Sequence, residues 1–94
     1  MAFKTISELS PVYDSRDSFY GKAHMLEQGD GTIILRSYNT DVAEIGFDAE
    51  GEKQARVFGS YSATTLRHIK EFLRQSGFKA ETKAQILKDY GPKA

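Results

Sequence analysis

Apolar and polar side chains alternate in short runs between residues 22 and 58, a pattern typical of strands that bury one face. The runs predict strands over residues 22–27, 32–38, 42–47 and 54–58. Gly29-Asp30-Gly31 and residues 48–52 separate these runs as hairpin loops. Because such short connections cannot carry a parallel crossover, the strands are expected to form an antiparallel meander.

The segment Asn39-Thr40-Asp41 interrupts this region with three polar residues. It forms either a tight turn between two strands or a bulge within one long bent strand, which leaves three or four strands in the sheet. We favour the turn. In the preceding strand Leu35 and Ser37 share one face, and Arg36 and Tyr38 share the other.

The first residues predict a short helix. Thr5-Ile6-Ser7-Glu8 fits the capping box, in which the Glu8 side chain reaches back to the N–H of the N-cap Thr5. Pro11 keeps this helix short, because proline disfavours helical geometry in the residue before it. Its buried stripe would be Phe3, Ile6 and Leu9.

A longer amphipathic helix is predicted after the strands. Ser62 is its expected N-cap, and the helix ends near Gln75 with Gly77 as the C-cap glycine. Apolar residues at helical spacing give it a core stripe, namely Leu66, Ile69, Phe72 and Leu73.

These elements predict a single α+β domain over residues 1–94. The antiparallel meander of three or four strands is packed on one face by the long helix, with short helices at both termini. The last helix begins near residue 80 or 81 and ends at Tyr90, and residues 92–94 are expected to fray. The second sheet face is solvated, covered by the terminal helices, or buried in a partner. If it is apolar and uncovered it favours a homodimer, with contacts from Ile34, Tyr38 and Phe58.

Composition limits the functions that this chain can have. It carries 13 Lys and Arg, 13 Asp and Glu, and no cysteine, which excludes disulfides, thiolate metal sites and cysteine nucleophiles. The longest apolar run, residues 33–35, is far too short for a membrane span, so we expect a cytoplasmic protein without a membrane segment. The zero net charge disfavours nucleic-acid binding, although residues 60–94 carry seven basic and three acidic side chains.

The start of the long helix is the first candidate site. Hydroxyl, arginine and histidine side chains crowd its first turns, where backbone N–H groups lack helical partners and the helix dipole is positive. A phosphate or a nucleotide would find suitable donors there. The alternative is that these side chains cap the helix and hydrogen-bond in the seam between helix and sheet. The candidate ligand residues are Ser62, Thr64, Thr65, Arg67 and His68.

Tyr38 and Asn39 form a second candidate, with Tyr38 as a stacking platform and Asn39 as the reader of a ligand amide or base edge. The alternative is a turn in which Asn39 or Asp41 bonds its own backbone. If this segment and the helix start lie at the same end of the sheet, they form one composite site. Tyr20 and Tyr61 are either core residues or exposed anchors for a partner protein.

Enzymatic chemistry has little support in the sequence. His24 and His68 are the only histidines, and neither has the spacing of a metal-ligand motif. No nucleophile motif surrounds the serines and threonines. We therefore expect no catalytic residues, no metal and no cofactor.

Three segments carry a family resemblance: SFYGKA at residues 18–23, LRSYNTDVA at 35–43 and YSATTLRHIKEFL at 61–73. Over residues 18–78 the chain resembles a family of small uncharacterised proteins encoded by bacteriophages, prophages and some bacteria, chiefly Gram-positive ones. That family has no established activity, so the resemblance assigns no catalytic or binding residue. It implies a phage accessory protein that acts inside a bacterial host cell.

Two functions follow as expectations. The first is a non-enzymatic module that binds a host or phage protein and in one version inhibits a bacterial defence system. Glu50 and Glu52, in the acidic half of the chain, are candidate contacts for that partner. The second is a binder of a small anion or nucleotide at the start of the long helix. Direct nucleic-acid binding ranks third.

Overall fold

Five antiparallel strands and two helices make up the fold. The computed structural model describes residues 3–14, 19 and 21–92, and residues 3–6 by their backbone alone. The elements are β1 (Phe3–Glu8), β2 (Ala23–Gln28), β3 (Ile33–Ser37), β4 (Thr40–Phe47), β5 (Lys53–Val57), α1 (Ala63–Gln75) and α2 (Lys83–Tyr90). Each strand pairs with the next one along the chain. The predicted α+β class is confirmed, with one or two strands more than predicted.

The additional strand lies where a short helix was predicted, and that prediction is wrong. Residues 3–8 form β1, which pairs antiparallel with β2. A helix that must end before Pro11 is too short to offset the cost of its own nucleation. Pairing with β2 instead supplies partners for the β1 backbone. Glu8 closes no capping box, because its Oε2 accepts the N–H of Gly21 at 3.2 Å.

A turn and a bulge both occur between β3 and β4. Ser37 pairs with Thr40, so Tyr38 and Asn39 form a two-residue turn and Thr40 already belongs to β4. Shortly afterwards the register shifts, and the bulge leaves Val42 without an opposite residue in β3. The favoured turn between two strands is therefore present, and the bulge lies near the start of β4 instead of within one long bent strand.

α1 packs on one face of the sheet, called the inner face below. Ser62 accepts the N–H of Thr65 at 3.3 Å as the predicted N-cap. Gly77 follows the C-cap with φ of +88°, a conformation that favours glycine. The inner-face core includes Leu35, Ala43, Ile45, Val57, Ile69, Phe72 and Leu73, all of them buried.

α2 packs near β5 at the edge of the sheet. Its N-cap is Thr82, so it begins slightly later than predicted, and it ends at Tyr90 as predicted. Ile86 is fully buried. Neither helix of the described chain is long and apolar enough to cross a membrane. Residues 93 and 94, which were predicted to fray, lie outside the described residues.

Candidate functional site

After β1, residues 10–14 cross the surface of α1, and we call them the crossing segment. Glu71 of α1 is 1 % exposed. Its Oε1 accepts the backbone N–H groups of Tyr13 and Asp14, both at 2.9 Å. Its Oε2 accepts a hydrogen bond from Nε2 of Gln75 at 2.6 Å. The carboxylate of Glu71 therefore holds the crossing segment against the helix.

The crossing segment also contacts one of the predicted anion ligands. Nη1 of Arg67 donates to Oδ1 of Asp14 at 2.9 Å. A carboxylate of the chain thus already lies on this guanidinium. Ser62 and Thr64 are exposed, and Ser62 acts as the helix cap.

Thr65 and His68 face the sheet and are buried. Oγ of Ser37 lies 2.7 Å from Nδ1 of His68 and donates to Oγ1 of Thr65 at 3.2 Å. The rings of Phe19 and Tyr38 lie on His68, with centroids 4.6 Å and 5.9 Å away. The helix start and the end of β3 thus meet at one end of the sheet. They form a closed cluster with internal partners, which favours a packing role for these side chains.

The predicted partner contacts that the structure describes lie in two separate places. Tyr20 is outside the described residues. Tyr61 packs against the core, and burial raises its pKa above the ordinary value. Glu50 and Glu52 are exposed in the loop before β5, where their backbone N–H groups donate to Oδ1 of Asp48 at 3.0 Å and 2.9 Å.

An open cleft of about 380 Å³ lies on the opposite side of the sheet, called the outer face. It is lined by Gly21, Lys22, His24, Leu26, Arg36, Tyr38 and Asn39. Leu26 belongs to the lining but is only 1 % exposed, and Lys22 and Arg36 bring positive charge to the cleft. The predicted pocket edge at Tyr38 and Asn39 therefore borders this cleft. The start of α1 borders a different open cleft, of about 390 Å³, whose lining includes Ala63, Arg67 and Asp14.

A row of polar side chains crosses the outer face beside this cleft. His24 lies opposite Arg36 in the β2–β3 ladder and opposite Glu8 in the β1–β2 ladder. Nε of Arg36 donates to Oδ1 of Asp41 at 2.8 Å, and this hydrogen bond raises the pKa of the guanidinium. Arg36 and His24 therefore lie between the carboxylates of Glu8 and Asp41. The bond to Asp41 fixes the orientation of Arg36.

Tyr38 has a strained backbone at the rim of the cleft. Its φ is +58°, and no other described non-glycine residue has a positive φ. Hairpin turns normally place glycine at such a position, because a side chain there costs roughly 1 kcal/mol. The Tyr38 side chain is nevertheless 48 % exposed. Strain that burial does not explain is found preferentially at functional sites.

Lys22, His24 and Arg36 were not predicted as residues of a site. The loop at residues 29–31 brings residue 28 opposite residue 32, and counting back along both strands pairs His24 with Arg36. The same count places Lys22, just before β2, opposite Tyr38, whose N–H donates to the Lys22 carbonyl at 2.6 Å.

The chain belongs to a family of unknown function, DUF8033, whose model matches residues 7–88. No curated protein and no solved structure matches it. Membership of an uncharacterised family agrees with the resemblance seen in the sequence and assigns no activity to any residue.

Proposed function

We propose that this member of the family is a non-catalytic binding protein whose outer-face cleft takes a small anionic molecule with a planar ring, such as a nucleotide. The observation that carries the proposal is the exposed, strained Tyr38 at the rim of a cleft lined by Lys22, His24 and Arg36. The sequence predicted a nucleotide site at the start of α1, whereas the site proposed here lies on the outer face.

The lining of the cleft matches the two parts of such a ligand. Lys22 is an exposed ammonium group that suits phosphate oxygens. Arg36 is paired with Asp41, as Arg67 is with Asp14, so Lys22 brings the larger share of the positive charge that a ligand would meet. The Tyr38 side chain is 48 % exposed at the rim and offers an aromatic surface on which a base can stack. The volume of about 380 Å³ suits one small molecule.

The cellular part of the proposal rests on the family resemblance. In a phage accessory protein of the bacterial cytoplasm, a cleft of this kind would sequester a signalling nucleotide of the host and so inhibit a defence system. Sequestration requires affinity alone, and the lining supplies charge and stacking surface for it.

Isothermal titration calorimetry with a set of small molecules tests this function. The set contains ATP, GTP, cyclic mononucleotides and dinucleotides, adenosine and inorganic phosphate. At least one nucleotide is expected to bind more tightly than either adenosine or phosphate, because only nucleotides combine ring and charge. Lys22→Glu should weaken that binding roughly tenfold or more through loss of a charge-assisted contact.

Lys79→Glu is the matched control, because Lys79 is exposed outside the cleft and belongs to the basic part of the chain. Its effect should stay below about twofold. Absence of binding across the whole set would overturn the proposal. Equal losses in both variants would instead point to diffuse electrostatic attraction.

Substitutions of Tyr38 are expected to separate its strain from its binding role. Tyr38→Gly and Tyr38→Ala both remove the ring and should weaken nucleotide binding alike. Alanine keeps the backbone strain, so the glycine variant should be more stable than the alanine variant by about 1 kcal/mol, the reverse of their usual order. Urea unfolding of both variants measures this difference. Equal stabilities would show that Tyr38 is not strained, and unchanged affinity would remove it from the site.

A further inference from the structure

β5 is an edge strand with an open groove beside it. In the described part of the chain it pairs with β4 and has no strand on its other side. A groove of about 520 Å³ is lined by residues 54–58 and by residues 89–92 at the end of α2. Successive strand residues point to opposite faces, so a groove that touches five in a row follows the strand edge. It covers roughly 16 Å, the length of about five extended residues.

The backbone groups that face this groove can be assigned from the ladder. The N–H of Phe58 donates to the carbonyl of Val42, and the N–H of Asp48 donates to the carbonyl of Glu52. In an antiparallel ladder these bonded pairs recur at every second residue, so Gln54 and Arg56 also direct their backbone groups to β4. The backbone N–H and C=O groups of Lys53, Ala55 and Val57 therefore point to the open edge.

We infer that this groove binds an extended peptide segment of a partner protein, which adds to the sheet as a sixth strand beyond β5. Outward N–H and C=O groups at two-residue spacing match the backbone of an extended strand. The helix end along the other side of the groove makes a slot between strand and helix, as in the domains that bind peptides by strand addition. This inference is independent of the outer-face cleft.

The walls define the chemistry of the peptide. On the inner side Tyr90 and Pro92 present apolar surface beside the buried Val57, so the peptide side chains there should be apolar. On the outer side the Arg56 side chain is 71 % exposed and lies 3.6 Å from Glu44. An acidic side chain on the peptide would form a cross-strand pair with it. The expected ligand therefore alternates apolar and acidic residues.

Selection from a random library of eight-residue peptides tests the inference, with fluorescence polarisation of the enriched peptides on the full chain. Enriched peptides should alternate apolar and acidic residues. Ala55→Pro removes an outward N–H without touching a bond to β4, so it should weaken their binding roughly tenfold. Ala55→Val keeps the N–H and is the matched control, with a change below about twofold. Circular dichroism verifies that both variants fold.

N-methylation of the peptide at alternate positions provides the same test without any change in the protein, should Ala55→Pro fail to fold. Methylation at the peptide positions whose N–H groups face β5 should abolish binding, and methylation at the intervening positions should leave binding unchanged. Failure to enrich any peptide, or binding insensitive to both changes, would overturn the inference. A homodimer that Ala55→Pro dissociates in sedimentation analysis would overturn it too, by identifying a second copy as the occupant.

Discussion

Glu71→Ala is expected to lower the free energy of unfolding by about 3 kcal/mol. The substitution removes the charged acceptor of the backbone N–H groups of Tyr13 and Asp14, and a hydrogen bond to a charged group contributes roughly 1.5–3 kcal/mol. Nε2 of Gln75 loses one acceptor as well. For a domain of this size the loss corresponds to a decrease in Tm of roughly 15 °C. Urea and thermal unfolding followed by circular dichroism measure both quantities.

The control for this substitution is Gln75→Ala, which removes the hydrogen bonds from Nε2 to Glu71 and to the Ser10 carbonyl and leaves both backbone contacts of Glu71 in place. Its cost should stay near 1 kcal/mol or below. In Glu71→Ala the crossing segment should also detach, so chymotrypsin should cut after Tyr13 faster than in the native chain. A loss below 1 kcal/mol together with unchanged cleavage would contradict the role assigned to Glu71.

The buried glutamate illustrates what the sequence could not predict. On α1 alone Glu71 looks like a solvated charge, because helix periodicity reports only local amphipathicity. Its burial depends on residues 10–14, which lie far away in the chain. The same limit explains the wrong N-terminal helix. The capping box is a local pattern, whereas β1 forms because β2 provides its hydrogen-bond partners.

Local sequence patterns predicted the strands and helices correctly where the packing of the whole chain favours the same structure. Alternation located β2 to β5 to within a few residues, and Ser62 and Gly77 mark the ends of α1 as predicted. In the cleft, alternation correctly separated Leu35 and Ser37 from Arg36. It did not show which side chains of β2 lie beside Arg36, because that depends on register, and register follows from turn geometry.

The buried cluster around His68 lies behind the rim of the cleft and connects the start of α1 to the turn that carries Tyr38. His68 contacts Ser37 at the end of β3, and the Tyr38 ring lies on it from the following turn. The polar residues that looked like an anion site thus position the turn that carries Tyr38. They would contribute to binding indirectly, through the orientation of that turn.

His68→Ala is accordingly expected to lower the free energy of unfolding by about 3–4 kcal/mol. The truncation leaves a cavity against Phe19 and removes the closer of two side-chain partners of the buried Ser37 hydroxyl, and both effects are costly. Ser37→Ala should cost roughly 1 kcal/mol, and the double variant should show a coupling of about 1 kcal/mol between the two sites in urea unfolding. Nucleotide affinity should fall less in His68→Ala than in Lys22→Glu. The opposite result, in which stability is retained and binding is lost, would return the ligand site to the start of α1.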